Sequence, residues 1–153
     1  MRRKEKEITD KSEIEAILEE ALIIRIGLSY EDAPYVIPVC FGYKYGCLYI
    51  HSAREGKKLD ILRQNNRICF EASVDVELVK AEVACNLTMR FKSVIGYGRA
   101  YFVDDRESKT AALDIIAQHY WRTPGSTYNE FIVDKTTVIK IEIESMTGKI
   151  SQS

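Results

Sequence analysis

Apolar side chains recur along this chain with two periods, every second residue and every three to four. Ile14, Ile17, Leu18 and Ala21 fall at helical spacing behind Ser12-x-x-Glu15, which has the form of a capping box. They predict an amphipathic helix lying on another layer. From Leu22 to Leu28 the period changes: Leu22, Ile24, Ile26 and Leu28 face one way, Arg25 and Gly27 the other, which predicts a strand. Ser29 to Ala33 is polar and turn-like, and Pro34 to Tyr43 is a second apolar run, so the pair predicts a hairpin. Pro38 within that run has no N–H to donate, which implies an edge, a bulge, or a place where the ladder gives way to a ligand. Tyr45-Gly46 turns the chain into a third strand, Cys47 to His51. A helix over roughly Ala53 to Gln64 follows, and Asn65-Asn66 breaks it.

Arg67 to Ser73 predicts a fourth strand with Ile68, Phe70 and Ala72 on one face. Val74 to Leu87 mixes apolar and acidic residues and predicts an irregular excursion. Arg90 to Val103 is a long strand with Phe91, Ser93, Ile95, Tyr97, Arg99, Tyr101 and Val103 on one face. Gly96 and Gly98 lie on the other, where glycine implies a bend or the close approach of another backbone. Asp104-Asp105 can cap a helix whose Leu113, Ile116, Ala117 and Tyr120 form the inward stripe, ending before Pro124-Gly125. Thr136 to Ile143 is the closing strand. The order is helix, three strands, helix, two strands, helix, strand. Mostly antiparallel strands with a few outer helices suit a small closed barrel, because closure removes unpaired edges. With no repeat, low-complexity tract or linker, residues 1–153 read as one domain.

Composition narrows the function. With 46% apolar and 29% charged residues, the chain is ordinary for a soluble globular protein and not for a disordered one. A net charge of −1 provides no global field for nucleic acid, so any anion site must be local. The charged start, Met1-Arg2-Arg3-Lys4-Glu5-Lys6-Glu7, is not a secretory signal, and no run approaches a membrane span. Cys40, Cys47, Cys69 and Cys85 lack a Cys-x-x-Cys pair and read as small buried hydrophobes in a reducing cytoplasm. With only His51 and His119 and no ligand spacing, no metal site is expected.

The basic stretch is local. His51, Arg54, Lys57 and Lys58 surround the point where the third strand hands over to its helix, with Gly56 removing bulk. Ser52-x-x-Glu55 again has capping-box form, which predicts that the helix opens directly after the strand. Helix N-termini present free N–H groups and partial positive charge, so one phosphate group fits there. On local features alone, a capped surface helix with solvated lysines explains the stretch equally well.

Longer matches decide between these. Glu71 through Val79, Thr88-Met89-Arg90-Phe91-Lys92-Ser93-Val94-Ile95-Gly96-Tyr97-Gly98-Arg99-Ala100, His51-Ser52-Ala53 with Gly56-Lys57-Lys58, and Met146-Thr147-Gly148-Lys149 together resemble the nitroimidazole-resistance (Nim) branch of the pyridoxamine-phosphate-oxidase-like flavoproteins. The resemblance spans nearly the whole chain. It implies a split β-barrel homodimer with two FMN sites at the subunit interface. It also implies that His51, Ser52, Ala53, Lys57 and Lys58 hold the phosphate, and that the isoalloxazine lies against Ile37, Pro38 and Val39. Arg90, Ser93 and Val94 would come from the partner.

The activity so implied is a flavin-dependent reductase, passing electrons from NAD(P)H to a small molecule such as a nitroaromatic. FAD in place of FMN is left open. The chemistry then belongs to the cofactor, which accounts for the absence of a nucleophile–base pair or carboxylate dyad. His51 is the one candidate catalytic side chain. A flavin-binding sensor or storage protein without turnover is the alternative, and a haem-binding barrel is a weaker one with two histidines available. Pyridoxamine-phosphate oxidation would need a second phosphate site, and no further basic cluster is evident in the sequence.

Overall fold

The computed structural model describes residues 4–121 and 128–151. In chain order the elements are β1 (Glu7–Ile8), α1 (Lys11–Glu20), β2 (Ile24–Tyr30), β3 (Ala33–Val39), β4 (Gly42–Lys44), β5 (Cys47–Ser52) and α2 (Lys57–Gln64). They continue with β6 (Arg67–Val79), β7 (Thr88–Val103), α3 (Arg106–Trp121), α4 (Glu130–Lys135) and β8 (Thr137–Ser151). Every strand pairing is antiparallel. The strands form one sheet in the order β3-β2-β6-β7-β8-β5-β4, with β1 added to β8. The sheet is not closed by hydrogen bonds: β3 and β4 are its two ends. The expected closed barrel is therefore a split one.

Those two ends come from one apolar run. Pro34 to Tyr43 is interrupted at Cys40-Phe41, where Phe41 is fully buried and the chain crosses from one edge of the sheet to the other. The hairpin expected here is β2–β3 alone, turned by Glu31 and Asp32 with φ of 49° and 60°. Pro38 stands opposite Arg25 in an unbroken register, so of the three explanations for this proline the edge strand is the one observed. Leu22 is 70% exposed and lies ahead of β2, whose inward set is Ile24, Ile26 and Leu28.

β6 and β7 form a longer hairpin than the sequence implies. The excursion expected over Val74 to Leu87 is mostly strand: β6 continues to Val79 past a bulge at Asp75, which has φ 54°. Asp75 and Glu77 interrupt the apolar alternation, yet they pair across the ladder with Lys92 (3.1 Å) and Arg90 (3.2 Å). The closing strand runs eight residues beyond Ile143 to Ser151. A register shift between Tyr97 and Gly98 leaves Glu144 as the extra residue, so the core-facing parity changes from Ile139, Ile141 and Ile143 to Met146, Gly148 and Ile150. A period-two reading loses the strand at that point.

On β7 the small face is the inner one. Val94, Gly96, Gly98 and Ala100 are buried, while Ile95, Tyr97 and Tyr101 are exposed. A Cβ on Gly96 would lie 2.3 Å from the Phe70 ring, and one on Gly98 would lie 2.3 Å from the Glu142 carbonyl oxygen. Glycine is required there by close approach, as expected. At the far end of α3, His119 Nε2 lies 2.7 Å from the Ala21 carbonyl and its ring packs 4.5 Å from Phe41. Tyr120 donates to the Leu22 carbonyl (2.7 Å) and accepts from Phe41 N–H (3.0 Å). Burial pushes the Tyr120 hydroxyl up to about 12, so it remains a donor. Pro124-Gly125 lies outside the described residues. None of the four cysteines is buried: Cys40 and Cys85 are exposed, Cys47 and Cys69 half-buried, and all are free thiols. They sit on the outer face or in loops, which alternation alone did not reveal. Among the described residues no helix is long and apolar enough to cross a membrane, and no group of ligands could hold a metal ion.

Candidate functional site

β5 carries the basic stretch to the barrel's rim. Leu48 and Ile50 point into the core, so Tyr49 and His51 point out. His51 and Ser52 still belong to the strand, opposite Val138 and Thr137 of β8. The chain then crosses a loop and enters α2 only at Lys57, five residues after Ser52. The expected Ser52–Glu55 capping box does not form. The residue before the helix is Gly56, whose φ of 135° suits glycine and which provides no side-chain cap. Its carbonyl accepts from Leu59 (2.8 Å) and Asp60 (3.2 Å), which starts the helix. The Lys57 and Lys58 N–H groups ahead of them have no intrahelical acceptor, as at any helix start.

Two lysines occupy that uncapped turn. Lys57 places its ammonium 4.8 Å from the centre of the Tyr35 ring on β3, a cation–π contact that ties the start of α2 to the sheet edge. Lys58 is half-buried, and burial holds its pKa below the ordinary value. His51 reaches solvent on one side. Protein packed on the other, with the Lys58 charge adding to it, pushes its pKa below 6.5. No carboxylate lies within ion-pair distance of Lys57 or Lys58 among the described residues; Asp60 is taken by Arg63 at 3.0 Å. Glu55 makes no cap or ion pair, and Arg54 donates to the Asp134 carbonyl, away from the cluster. The result is two cations, a histidine and free backbone donors with no internal acceptor.

Ile37 and Val39 are half-buried on β3, with Pro38 exposed between them. Tyr35 shares their face, so the Lys57 contact joins the basic cluster to the strand expected to carry the ring system. Tyr35 was not legible as a site residue, because nothing local in sequence links it to Lys57. Arg90, Ser93 and Val94 lie elsewhere. Arg90 is on the outer hairpin, paired with Glu77, and the Val94 side chain is fully buried in the core. His51 stands opposite Val138, which stands opposite Val103. Ser93 is about ten residues further back along β7, roughly 33 Å at the usual strand rise. One chain does not bring Ser93 to His51.

An open antiparallel sheet whose two edges are separated along one continuous path, with helices outside, defines a split β-barrel. The chain belongs to the pyridoxamine 5'-phosphate oxidase family, which it matches over residues 10–150. It is similar to a protein from Bacteroides thetaiotaomicron described as a candidate 5-nitroimidazole antibiotic resistance protein, with 37% identity over 94% of this chain and 86% of that one, at a TM-score of 0.84. Two more distant structures share the fold. The flavocytochrome Anf3 from Azotobacter vinelandii is 23% identical over 100% of this chain and 72% of its own (TM-score 0.84). An FAD- and haem-binding protein from Mycobacterium smegmatis is 18% identical over 97% and 74% (TM-score 0.82). No protein of curated function matches the sequence.

Proposed function

We propose that this protein binds a flavin, FMN in the first instance, and works as a reductase of small molecules. Its phosphate would rest on the N-terminal turn of α2, against Lys57, Lys58, His51, Ser52 and Ala53. The uncapped, unpaired cationic turn is the observation that carries this reading. A phosphate dianion there gains charge-assisted hydrogen bonds of roughly 1.5–3 kcal/mol each before desolvation. The ring system would lie along Ile37, Pro38 and Val39, where the sheet edge leaves backbone groups unpaired. The flavin supplies the redox chemistry, drawing electrons from NAD(P)H for an acceptor such as a nitroaromatic. The chain's own part is to grip the phosphate, orient the ring and hold His51 as a proton donor or acceptor at its edge.

A homodimer fits the same reading. Arg90, Ser93 and the Val94 backbone reach a flavin held at His51 only from a second copy, given their separation along β7. The outward apolar side chains Ile95, Tyr97 and Tyr101 provide a face for that copy. The free thiols suit a reducing compartment.

The test is mass spectrometry of the small molecule released on denaturing the purified protein, followed by anaerobic titration with NADH and NADPH and reoxidation with a nitroimidazole. Release of FMN, bleaching and recovery are expected. A colourless protein indifferent to FMN would overturn the binding assignment. A bound flavin that no nicotinamide reduces would leave a flavin carrier without turnover, and a Soret band would favour haem.

A further inference from the structure

Among the described residues, the one electrostatic contact of the Lys57 ammonium is the Tyr35 ring, 4.8 Å away. Other lysines lie over rings too, but locally. Lys44 sits over Tyr45, its neighbour in sequence, and Lys135 over Phe131, one helical turn earlier. Lys149 sits over Phe91 on the adjacent strand of the same ladder. In each of these the local backbone already brings lysine and ring together. The Lys57 contact instead joins the start of α2 to the edge strand β3, two elements that share neither a helix nor a ladder. A flavin with its phosphate on the α2 turn and its ring along β3 would span the same two elements.

Tyr35 is the fixed member of the pair. It stands opposite the buried Leu28 of β2 and packs against the core, on the same face of β3 as Ile37 and Val39. Its hydroxyl has no hydrogen-bond partner among the described residues, so the fold uses the ring and not the phenol oxygen. Lysine is the mobile member, because its long stem loses rotamer freedom whenever the ammonium must grip a ligand. A ring anchored in the sheet orders that stem before any ligand arrives, which lowers the cost of binding. Lys58 is half-buried, so packing already restricts it.

We infer that Tyr35 is a positioning residue for the flavin phosphate: its ring holds Lys57 in place, and it thereby sets how strongly the protein prefers FMN to riboflavin, which lacks the phosphate. The inference rests on the flavin reading above and adds to it a specificity residue on β3 that acts through a lysine on α2. An ammonium over a ring face keeps donors free on its other side, so Lys57 can meet ring and phosphate together. The phenol oxygen has no part in this.

Fluorescence titration of the flavin-free protein with FMN and with riboflavin tests the inference. Tyr35→Leu and Tyr35→Met keep an apolar side chain on β3 and remove the ring. In either variant FMN affinity should fall about threefold, with riboflavin affinity unchanged. Tyr35→Phe should keep the FMN-to-riboflavin ratio of the unaltered protein. In a Lys57→Ala background, Tyr35→Leu should cause no further loss of FMN affinity, because the two residues act as one unit. Four results would overturn the inference and leave the flavin reading standing: unchanged FMN affinity in both ring-less variants, equal losses of FMN and riboflavin, a Tyr35→Phe protein that behaves like Tyr35→Leu, or additive losses in the double variant. Failure of the unaltered protein to bind FMN at all would overturn both.

Discussion

The helices of this protein begin in two different ways. At α1, Asp10 accepts from the Ser12 N–H (2.8 Å) and hydroxyl (2.7 Å); at α3, Asp105 accepts from Ser108 N–H (2.8 Å); at α4, Asn129 accepts from Phe131 N–H (2.9 Å). Each of these three also carries an acid in its first turn, Glu13, Glu107 and Glu130, which suits the positive end of the helix dipole. α2 begins with a glycine that has no side chain to offer and places Lys57 and Lys58 where the dipole disfavours cations. Among the described residues, three α-helices have a side-chain cap, whereas α2 has none: its first-turn acid, Asp60, is taken by Arg63, and two adjacent lysines stand at its start. Residues that oppose stability at one terminus, in a chain that caps the others well, are accounted for if the acceptor comes from outside.

The strongest way to break this contrast is to replace Lys57 and Lys58 together by alanine. Flavin affinity should fall by roughly 10- to 100-fold, the equivalent of one or two charge-assisted contacts after desolvation. Stability should change little, since the gain in helix propensity and the loss of two charges disfavoured by the dipole offset the lost Lys57–Tyr35 contact. Fluorescence titration with FMN and a thermal melt of the flavin-free protein measure the two quantities. Unchanged FMN affinity with a lowered midpoint would mean that the lysines serve the fold.

The capped helices should respond in the opposite way. Asn129→Ala removes the α4 cap and should cost about 1 kcal/mol of stability in denaturant titration, with flavin affinity unaffected. At α1 the sign follows from charge. Hydrogen bonds from Ser12 hold the Asp10 carboxyl below its ordinary 3.8. Its contribution is therefore complete above that value and is lost as pH falls through the folded-state pKa. Asp10→Ala should destabilise the protein at pH 7 and make progressively less difference below about pH 3.8. A constant difference across that range would show that packing, not the carboxylate, holds the start of α1.

Much of the fold was legible because alternation is a direct record of which side faces the core. β2, β5, the first part of β6 and β7 follow their patterns within a residue or two. The pattern failed where the phase changed or the acceptors were misjudged. The bulge at Glu144 moved the inward set of β8 by one residue and hid its second half. Acidic residues on the β6 extension looked like a loop, because their cross-strand partners, Lys92 and Arg90, lie far along the chain. At the start of α2 the basic cluster is visible in the sequence, but Ser52 looked like a cap although it is still strand. The Tyr35–Lys57 contact depends on how α2 lies against the edge strand, which composition does not reveal.

The smallest effect sharpens the comparison most. In the free protein His51 has its pKa pushed below 6.5 by burial and by Lys58. As pH falls through 6.5 the unfolded chain takes up its proton first, so this histidine withdraws stability over the window from 6.5 down to its folded-state value. A dianion seated on the α2 turn reverses the sign, because it favours the charged imidazole. Sulfate stays dianionic throughout that window, unlike a phosphate ester with its second ionisation near pH 6. NMR titration of the imidazole signals should show the His51 midpoint rising when sulfate is added, and sulfate affinity increasing as pH falls across the same interval. His119, bonded to the Ala21 carbonyl behind α3, provides the reference for general salt effects. Equal displacement of both histidines would reduce the effect to ionic strength and leave the α2 turn an ordinary solvated one. Displacement of His51 alone, abolished in the Lys57→Ala/Lys58→Ala protein, would place the anion where the missing cap leaves room for it.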